Sequence, residues 1–548
     1  MIRVCNPPDR FGELLSRFER EWILSRIWAH DFTVWKSEPT EITNRLGWLH
    51  APFSMVRELD RLDAFVHAVR SDGIEYVLLF GMGGSSLAPD VFAHAFGPAP
   101  AHAALTVLDS THPAAIADVE RRLDLSRTLF LVATKSGTTT ETLSLFRYFH
   151  RRVREAEGEA EAARRFVAIT DPDSPLVDLA ARHGFRETFL NDPNIGGRYA
   201  ALSLVGLVPA ALLGIDAARL LERAQSASID CAKYEPLDEN PAVRIGATLA
   251  ASALGGQDKV TFLFPPSIAC FGDWIEQLIA ESTGKEGTGI LPIVGEPVAP
   301  PAEYGDDRLF VSFSLGGDGP DERALSGLEH AGHPVIRVEL DDLYALGDQF
   351  FLWELSTAVA AHVLRVNPFD QPNVEAAKRL ARELVDGFRR TGRLPPTEST
   401  PLTVDGLVAF LAGTEPGSYI ALQAYLPLSD RLTEAFTALR LGLRARFGLA
   451  TTFGYGPRFL HSTGQLHKGD RGNGRFVQLV SPHDADLPIP DEDEGSGSAL
   501  TFGTLISAQA GGDRRALLDV GRPVATFAVP EDAAEAIRRV AGELGEGG

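Results

Sequence analysis

Apolar residues near the start of the chain recur every three to four positions, which is the spacing of one helix face. This pattern runs from Phe11 to Ile27 and again from Met55 to Val69. It predicts that residues 1–70 form a helical cover at the N-terminus of the fold. No short internal repeat is visible in the chain.

From Tyr76 the pattern changes to short apolar runs that alternate with amphipathic stretches. The first series comprises Tyr76–Phe80, Leu105–Leu108, Leu129–Val132 and Phe166–Ile169, and the second comprises 261–264, 309–311 and 335–338. A helical stretch over 199–254 separates the two series. Strands that alternate with helices predict a parallel sheet with helices on both faces. We therefore expect an α/β protein with one such unit over 71–240 and another over 241–390.

A segment rich in Pro, Thr and Gly, residues 390–401, reads as a linker into a third region. That region, 402–548, is expected to form a C-terminal α/β extension. It contains an acidic stretch rich in Gly and Ser, residues 484–498, which is typical of a solvated loop.

The length and charge of the chain narrow its class. A chain of 548 residues is too long to fold around a single hydrophobic core, and this length indicates about three domains. Its 74 acidic and 52 basic residues give a formal charge of -22, which argues against a nucleic-acid partner. An anionic ligand must therefore be captured by local donors.

Neither a leader nor a disulfide framework is indicated. The chain lacks a basic segment followed by an apolar one at its start, and no apolar run approaches the roughly 20 residues that span a bilayer. We expect a cytoplasmic protein without a membrane partner. Cys5, Cys231 and Cys270 are few and scattered, so we expect free thiols.

Two loops after predicted strands are candidates for binding a phosphate. Gly81–Ser86 directly follows the first strand and precedes a helical pattern, so backbone N–H groups would face the crevice. Thr134–Thr142 follows the third strand and is crowded with hydroxyls, which can ring a phosphate. The alternatives are an ordinary tight turn for the first loop and a simple helix N-cap for the second.

Three segments taken together resemble the phosphoglucose isomerase family. In chain order they are Gly196–Tyr199, Leu278–Lys285, which contains Glu281, and Asn367–Gln371. This is also the order of these segments in the family. The resemblance implies two sugar isomerase (SIS) domains, each a parallel sheet with helices on both faces. It also implies a small-molecule sugar phosphate as substrate, no cofactor and no metal, and we expect a homo-oligomer.

The resemblance assigns catalytic roles to three residues: Glu281 as the base, Arg198 as the group that steadies the enediolate, and Lys378 as the group that acts on the ring oxygen or O1. Each has a structural alternative. Glu281 could be a helix-end carboxylate, although the helix dipole disfavours one there. Arg198 could pair with a surface carboxylate, and Lys378 could belong to a solvated helix face.

Further residues are expected to bind the substrate. Gln277 precedes Glu281 by one helical turn, so its amide could contact substrate hydroxyls or phosphate. The resemblance makes Gln371 a phosphate contact and Glu375 a supporting partner. It places the phosphate at Gly84, Ser85, Thr134, Lys135, Ser136 and Thr139. The sequence departs from the commoner family pattern at Ser136 and Gly137, and also at Ala200, which usually is Ser.

The histidine that most family members use to open the sugar ring is missing from its usual place. Val294–Pro297 is followed by 298–304, which contains no histidine. Among the nearby histidines, His330 and His333 read as a helix end and a turn, and His362 as a helix packing position. All three are therefore expected to be structural.

The third region offers a substitute in Phe453–Gly469, which carries His461, His467 and other ligand-type groups between glycine-rich turns. We expect His461 or His467 to supply the imidazole, either within one chain or across a subunit contact. A metal site is the weaker alternative, since further ligands are not evident.

The main functional expectation is reversible interconversion of glucose 6-phosphate and fructose 6-phosphate through an enediolate. One alternative is a dual phosphoglucose/phosphomannose isomerase, because Thr283 lies near Glu281. Another is a non-catalytic sugar-phosphate sensor. The segments 26–31 and 508–513 also resemble the isomerase portion of bifunctional transaldolase/phosphoglucose isomerase proteins. With so few residues ahead of that portion, we expect no transaldolase activity.

Overall fold

The computed structural model describes residues 2–232, 236–396, 398–482, 485–491 and 497–546. The N-terminal part begins with a short strand and continues in helices around irregular segments. Its elements are β1 (Ile2–Cys5), α1 (Phe11–Arg20), α2 (Ile23–Trp28), α3 (Ala51–Ser54) and α4 (Leu59–Ser71).

The first sheet is fully parallel and has the strand order β3-β2-β4-β5-β6. Its region comprises β2 (Tyr76–Phe80), α5 (Leu87–Ala95), β3 (Ala104–Leu108), α6 (Pro113–Arg122), β4 (Thr128–Ala133), α7 (Thr140–Glu157), α8 (Glu159–Arg165), β5 (Phe166–Thr170), α9 (Pro175–Arg182) and β6 (Glu187–Leu190). Every residue of β4 and β5 is buried, because helices cover both faces of the sheet.

Three helices, α10 (Leu204–Leu212), α11 (Ala217–Cys231) and α12 (Pro241–Leu254), connect the first sheet to the second. The second region comprises β7 (Lys259–Leu263), α13 (Phe271–Thr283), β8 (Leu291–Ile293), β9 (Arg308–Leu315), α14 (Glu322–His330), β10 (Val335–Leu340), α15 (Ala345–Leu364) and α16 (Val374–Thr391). Its strand order is β1-β10-β9-β7-β8, and only β1 is antiparallel to its neighbour.

The third sheet is again parallel, with the order β11-β17-β14-β12-β13. Its region comprises β11 (Thr400–Pro401), α17 (Val404–Leu411), β12 (Tyr419–Tyr425), α18 (Asp430–Phe447), β13 (Ala450–Tyr455), α19 (Gly464–Gly469), β14 (Gly474–Val480), β15 (Pro488–Ile489), β16 (Leu500–Thr501), α20 (Phe502–Asp519), β17 (Val524–Ala528) and α21 (Ala533–Glu546). The strands β15 and β16 pair separately as an antiparallel ribbon.

The predicted α/β class is confirmed, and all seven apolar runs are strands. Three short edge strands were missed: β1, β6 and β8. An edge strand has one neighbour and is only partly covered, so it need not carry a continuous apolar run. The N-terminal part is therefore not purely helical, because β1 extends the second sheet. The predicted domain limits at 70, 240, 390 and 402 stay predictions.

Smaller expectations have mixed outcomes. All three cysteines are free thiols. Within the described residues, no helix is long and apolar enough to cross a bilayer. Of the expected acidic loop over 484–498, residues 484 and 492–496 lie outside the described residues, and the described flanks contain the ribbon of β15 and β16.

Helix α20 lies directly against α16 because its glycine Gly512 has no side chain. A Cβ at Gly512 would lie 2.7 Å from the backbone N of Ala381 and 3.1 Å from the carbonyl oxygen of Ala377. The glycine thus brings the C-terminal region against the helix that carries Lys378.

The long apolar helix α15 buries a carboxyl group, that of Glu354. Its side chain is almost wholly inaccessible, and Oε1 has no hydrogen-bond partner among the described residues. Burial raises the pKa of Glu354 well above its ordinary value. The folded protein therefore keeps a proton on Glu354 that the unfolded chain releases above about pH 4.3.

We predict that Glu354→Gln removes a loss of stability that sets in as the pH rises above about 4.3. Between the unfolded and the folded pKa, the folded state of the wild type binds more protons, so its free energy of unfolding falls as pH rises. The variant has no such proton and should gain relative to the wild type from pH 5 to pH 9, as measured by urea unfolding. Glu157→Gln, at the exposed end of α7, is the control. Parallel pH profiles for wild type and Glu354→Gln would contradict the prediction.

Candidate active site

A cavity of about 820 Å³ opens at the carboxyl ends of the adjacent strands β2 and β4. This is the edge at which open parallel sheets bind ligands. Elements of all three sheet regions line it. Among its lining residues are Gly84, Ser85, Thr134, Lys135, Ser136, Thr139, Arg198, Gln277, Glu281, Gln371, Glu375, Lys378 and His461. Of the residues predicted for the site, only His467 is not in this lining.

The glycine-rich loop after β2 lies in direct contact with the other active-site segments. A Cβ at Gly84 would lie 2.1 Å from the carbonyl of Gly197, and a Cβ at Gly83 would lie 2.8 Å from Nε2 of Gln277. Gly83 also has a backbone φ of +53°, which residues other than glycine rarely adopt. These glycines therefore allow the loop to pack closely against the other active-site segments.

The hydroxyl loop after β4 is held by its own side chains. Oγ1 of Thr134 lies 2.8 Å from Oγ1 of Thr139, and Oγ of Ser136 lies 3.0 Å from Oγ1 of Thr138. Thr139 is the N-cap residue of α7, so the positive end of an 18-residue helix faces the cavity. Hydroxyls and a helix N-terminus suit an anion.

Lys135 is tied to the wall of the cavity. Its ammonium pairs with Asp171 and donates to the carbonyl oxygen of Pro193 at 2.9 Å. Burial raises the pKa of Asp171, and the ion pair with Lys135 opposes this effect. Lys135 thus supplies a fixed positive charge close to the hydroxyl loop.

Arg198 is buried and fully oriented by its neighbours. Nε donates to Oγ of Ser282 at 2.9 Å, and Nη1 donates to Oε1 of Gln371 at 3.0 Å. Nη2 donates to the carbonyl oxygens of Pro368 at 2.5 Å and Asp370 at 3.0 Å. Its Nη1 also lies 3.5 Å from Oε2 of Glu281. The guanidinium therefore holds a fixed position beside that carboxylate.

Gln277 links Glu281 to the C-terminal region. Its Nε2 donates to Oε2 of Glu281 at 3.0 Å and to the carbonyl oxygen of His461 at 2.7 Å. The first bond is the helical i,i+4 contact expected from the sequence. Oε1 of Gln277 is buried without a partner in the described structure, so it can accept a hydrogen bond from a ligand.

Lys285, one turn beyond Glu281, supports the loop that carries Gln371. Its Nζ donates to the carbonyl oxygens of Asn367 and Asp370, each at 2.6 Å, and to Oδ1 of Asp370 at 2.8 Å. Burial, with the nearby charge of Arg198, lowers the pKa of Lys285 to about 8. Lys285 therefore holds the backbone of the loop that carries Gln371.

Lys378 lies at a more open part of the cavity, on the first turns of α16. Its Nζ pairs with Oε1 of Glu375 at 3.1 Å, and 38% of its side chain is exposed. It also contributes to the positive potential at Glu141. Lys378 thus keeps enough freedom to meet a ligand.

The imidazole of His461 reaches the hydroxyl-loop side of the cavity. Its Nε2 lies 3.2 Å from Oε1 of Glu141, which also accepts from Nε2 of Gln509 at 2.7 Å. Oγ1 of Thr111 donates in turn to Oε1 of Gln509 at 2.7 Å. Burial would raise the pKa of Glu141, but its interactions with His461 prevail and the pKa is lowered. Glu141 is therefore a carboxylate that orients His461.

His467 lies elsewhere, in the core of the third sheet beside Tyr419 and Phe476. Its Nε2 has no hydrogen-bond partner among the described residues. Burial and the charges of Lys468 and Arg522 lower the pKa of His467 well below its ordinary value. The structure thus offers only one of the two predicted histidines to the cavity.

The segment that lacks the usual histidine has a structural role. Glu296 is buried and pairs with Nη1 of Arg308 at 3.0 Å and with Nη1 of Arg444 at 3.3 Å. Nη1 of Arg440 donates to the carbonyl oxygen of Val294 at 2.9 Å. Both Arg440 and Arg444 belong to α18, so this segment docks the third sheet region onto the second.

The remaining histidines and the metal alternative do not alter this site. His330 ends α14, His333 packs against Phe310, and Nδ1 of His362 lies 2.5 Å from the carbonyl oxygen of Val34. A search of the described residues finds no cluster of His, Cys, Asp and Glu that could hold a metal ion.

Sequence reasoning missed Glu141, Gln509 and Lys285 as members of the site. Glu141 stands in the quoted hydroxyl segment and Lys285 in the segment that contains Glu281, so a signal was present for both. Gln509 lies in the quoted segment 508–513, but its contact joins positions 368 residues apart, which spacing alone does not reveal.

The molecule is an α/β protein whose cavity combines two anion-type loops with a buried carboxylate beside a fixed arginine. The family model for phosphoglucose isomerase matches residues 56–291. The glucose-6-phosphate isomerase of Heliobacterium modesticaldum is 32% identical over 386 residues, which cover 61% of this chain and 85% of that protein. That of Streptococcus gordonii is 29% identical and covers 67% of this chain and 94% of that protein. The chain belongs to the phosphoglucose isomerase family.

Two solved structures show the same fold. A hypothetical protein of Thermus thermophilus superposes with a TM-score of 0.60 at 27% identity, covering 70% of this chain and 99% of that one. The glucose-6-phosphate isomerase of Chlamydia trachomatis shares the fold, with a TM-score of 0.58 at 18% identity over 69% of this chain and 86% of that one. Part of this chain therefore has no aligned counterpart in these structures.

We predict that Gly84→Ala weakens anion binding and destabilises the fold. The new methyl would overlap the carbonyl of Gly197, and overpacking of this kind costs about 1–3 kcal/mol. Urea unfolding should show that loss, and calorimetry should show weaker binding of inorganic phosphate. Gly12→Ala is the matched control, because a Cβ there meets nothing within 4 Å. Wild-type behaviour of Gly84→Ala in both measurements would contradict the packing described for this loop.

Proposed function

We propose that the protein interconverts glucose 6-phosphate and fructose 6-phosphate, with Glu281 as the base. The observation that carries the proposal is the buried pair of Glu281 and Arg198, 3.5 Å apart in a cavity that also contains two anion-type loops. Both side chains have fixed orientations, because hydrogen bonds hold them before a substrate binds.

The phosphate of the substrate would lie between the two loops. In this proposal the backbone N–H of Gly84 and the hydroxyls of Ser85, Ser136 and Thr139 bind its oxygens, with Thr134 and Lys135 beside them. Gln371 also contacts the phosphate, and Oε1 of Gln277 accepts a hydrogen bond from a sugar hydroxyl. Local donors of this kind can bind an anion although the chain as a whole is strongly acidic.

The isomerisation needs one base that serves two adjacent carbons. Glu281 takes the proton from C2 of the open-chain aldose and returns it to C1, while the hydroxyl proton passes from O2 to O1. The enediolate between these transfers carries negative charge on oxygen. Arg198 stabilises it, because a guanidinium stays charged and offers several donors. Lys378 acts on O1 or the ring oxygen.

The ring must open before C2 can react, and we assign that step to His461. Because Nε2 of His461 faces Glu141, Nδ1 remains for the substrate. When protonated, the imidazole can give its proton to the ring oxygen as the ring bond breaks. His467 has no part in this step, since it lies in the core.

The alternatives receive less support. The relatives reported above are named for glucose 6-phosphate alone, which does not favour a dual phosphomannose activity. A sensor would need the phosphate loops but no oriented carboxylate–arginine pair. A link to bifunctional transaldolase proteins rests only on the segments 26–31 and 508–513.

We predict that Glu281→Gln lowers kcat for fructose 6-phosphate by about 10²–10⁴-fold, because a positioned base contributes that much. A coupled assay of glucose 6-phosphate formation measures the rate, with mannose 6-phosphate as a second substrate. Glu286→Gln is the matched control, since that nearby carboxylate is exposed and pairs with Lys36. Near-normal turnover by Glu281→Gln would refute its role as base. Phosphate-dependent binding of fructose 6-phosphate without turnover by the wild type would favour the sensor.

We predict that His461→Ala slows fructose 6-phosphate turnover by about 10²-fold, the lower end for a general acid. It should leave proton exchange on 5-deoxyfructose 6-phosphate unchanged, because that analogue lacks the hydroxyl that closes the ring. Deuterium incorporation followed by NMR measures the exchange. His467→Ala should change the rates on the two substrates by the same factor. The assignment is wrong if His461→Ala keeps the full rate on fructose 6-phosphate.

A further inference from the structure

The C-terminal region completes the cavity of its own chain. It provides Leu460, His461, Leu505 and Gln509, and the ribbon of β15 and β16 provides Ile489 and Leu500. His461 also contacts both other regions, since its ring meets Glu141 on α7 and its carbonyl oxygen meets Gln277 on α13. One chain therefore presents base, arginine and imidazole to one cavity.

Arg458, three residues before His461, fixes this arrangement. Nη2 donates to Oδ2 of Asp90 at 2.5 Å, and Nε donates to Oδ2 of Asp109 at 2.6 Å. Nη1 donates to Oδ2 of Asp273 at 3.3 Å. Asp90 and Asp109 belong to the first sheet region and Asp273 to the second. A single guanidinium thus ties the histidine segment to both of them.

The short link between Arg458 and His461 is itself ordered. Residues Arg458–His461 form one 3₁₀ turn, and Oγ of Ser462 contacts Oε1 of Glu276 at 3.4 Å. Burial and the adjacent Asp273 raise the pKa of Glu276 to about 8, so it is largely a neutral neighbour at pH 7. Because both residues belong to this one turn, fixing the guanidinium of Arg458 also restricts the position of the His461 imidazole.

We propose that this chain forms its active site in cis, with Arg458 as the positioning residue that locks His461 into the cavity of the same subunit. The proposal rests on the isomerase function and on the role of His461 inferred above. It allows oligomers to form through other surfaces, but it requires no residue from a second subunit at the reacting carbons.

Co-expression of two inactive chains tests the first part. Glu281→Gln and His461→Ala variants carrying different tags are expressed together, and their turnover of fructose 6-phosphate is compared with the mean of the separate variants. A site formed in cis gives that mean. A site shared between two subunits of a dimer would restore up to about a quarter of the wild-type rate, which would overturn the proposal. Absence of turnover by the wild type would instead refute the function itself.

Arg458→Lys tests the positioning role. Lysine keeps the positive charge but cannot contact three carboxylates with a rigid fork, so the variant avoids leaving them without a cation. We expect turnover of fructose 6-phosphate to fall about tenfold or more, within the range of a general acid. Proton exchange on 5-deoxyfructose 6-phosphate should stay within about twofold of the wild type, because Glu281 and Arg198 do not move.

Arg444→Lys is the matched control, because Arg444 docks the same region through Glu296 and Glu303 but lies apart from His461. It should change both substrates alike. Equal losses on the two substrates in Arg458→Lys would show a structural role only and would overturn the positioning assignment, as would unchanged turnover of both.

Discussion

The structure depends on the burial of arginine side chains against carboxylates that lie in other parts of the chain. A charge taken out of water costs several kcal/mol unless an opposite charge meets it in good geometry. Arg458 and Arg444 can satisfy this condition only when the third sheet region is docked on the other two. The docked position also covers the cavity, so the same ion pairs that stop the arginines from being left unpaired complete the proposed site.

The cavity explains how a strongly acidic protein can bind an anionic substrate. The formal charge of -22 belongs to the whole chain, and solvent and salt screen its exposed charges beyond about 10 Å. Inside the cavity, the positive groups Arg198 and Lys135 are held at fixed distances, and two helices begin there. Short-range donors therefore outweigh a repulsion that acts from farther away.

The sequence predicted the central strands of this structure better than its edge strands or the contacts between its sheet regions. The runs at Tyr76–Phe80 and Leu129–Val132 are buried on both faces, so composition alone marked them as strands, and the loops after them followed. The edge strand Glu187–Leu190 has no comparable run. The ion pairs of Arg458 join residues 185 to 368 positions apart, and their partners cannot be chosen among 74 carboxylates without the fold.

The proposed ring-opening role of His461 fits the chemistry, because this step specifies the position of an imidazole and not the segment that carries it. Glu141 lies on α7, which begins at the hydroxyl loop, and its carboxylate contacts the imidazole of His461. Any segment that reaches that carboxylate can supply the ring, provided that its backbone is held. Arg458 and Gln277 hold it here. Glu296, in the segment without the usual histidine, serves the docking of the region that brings His461 in.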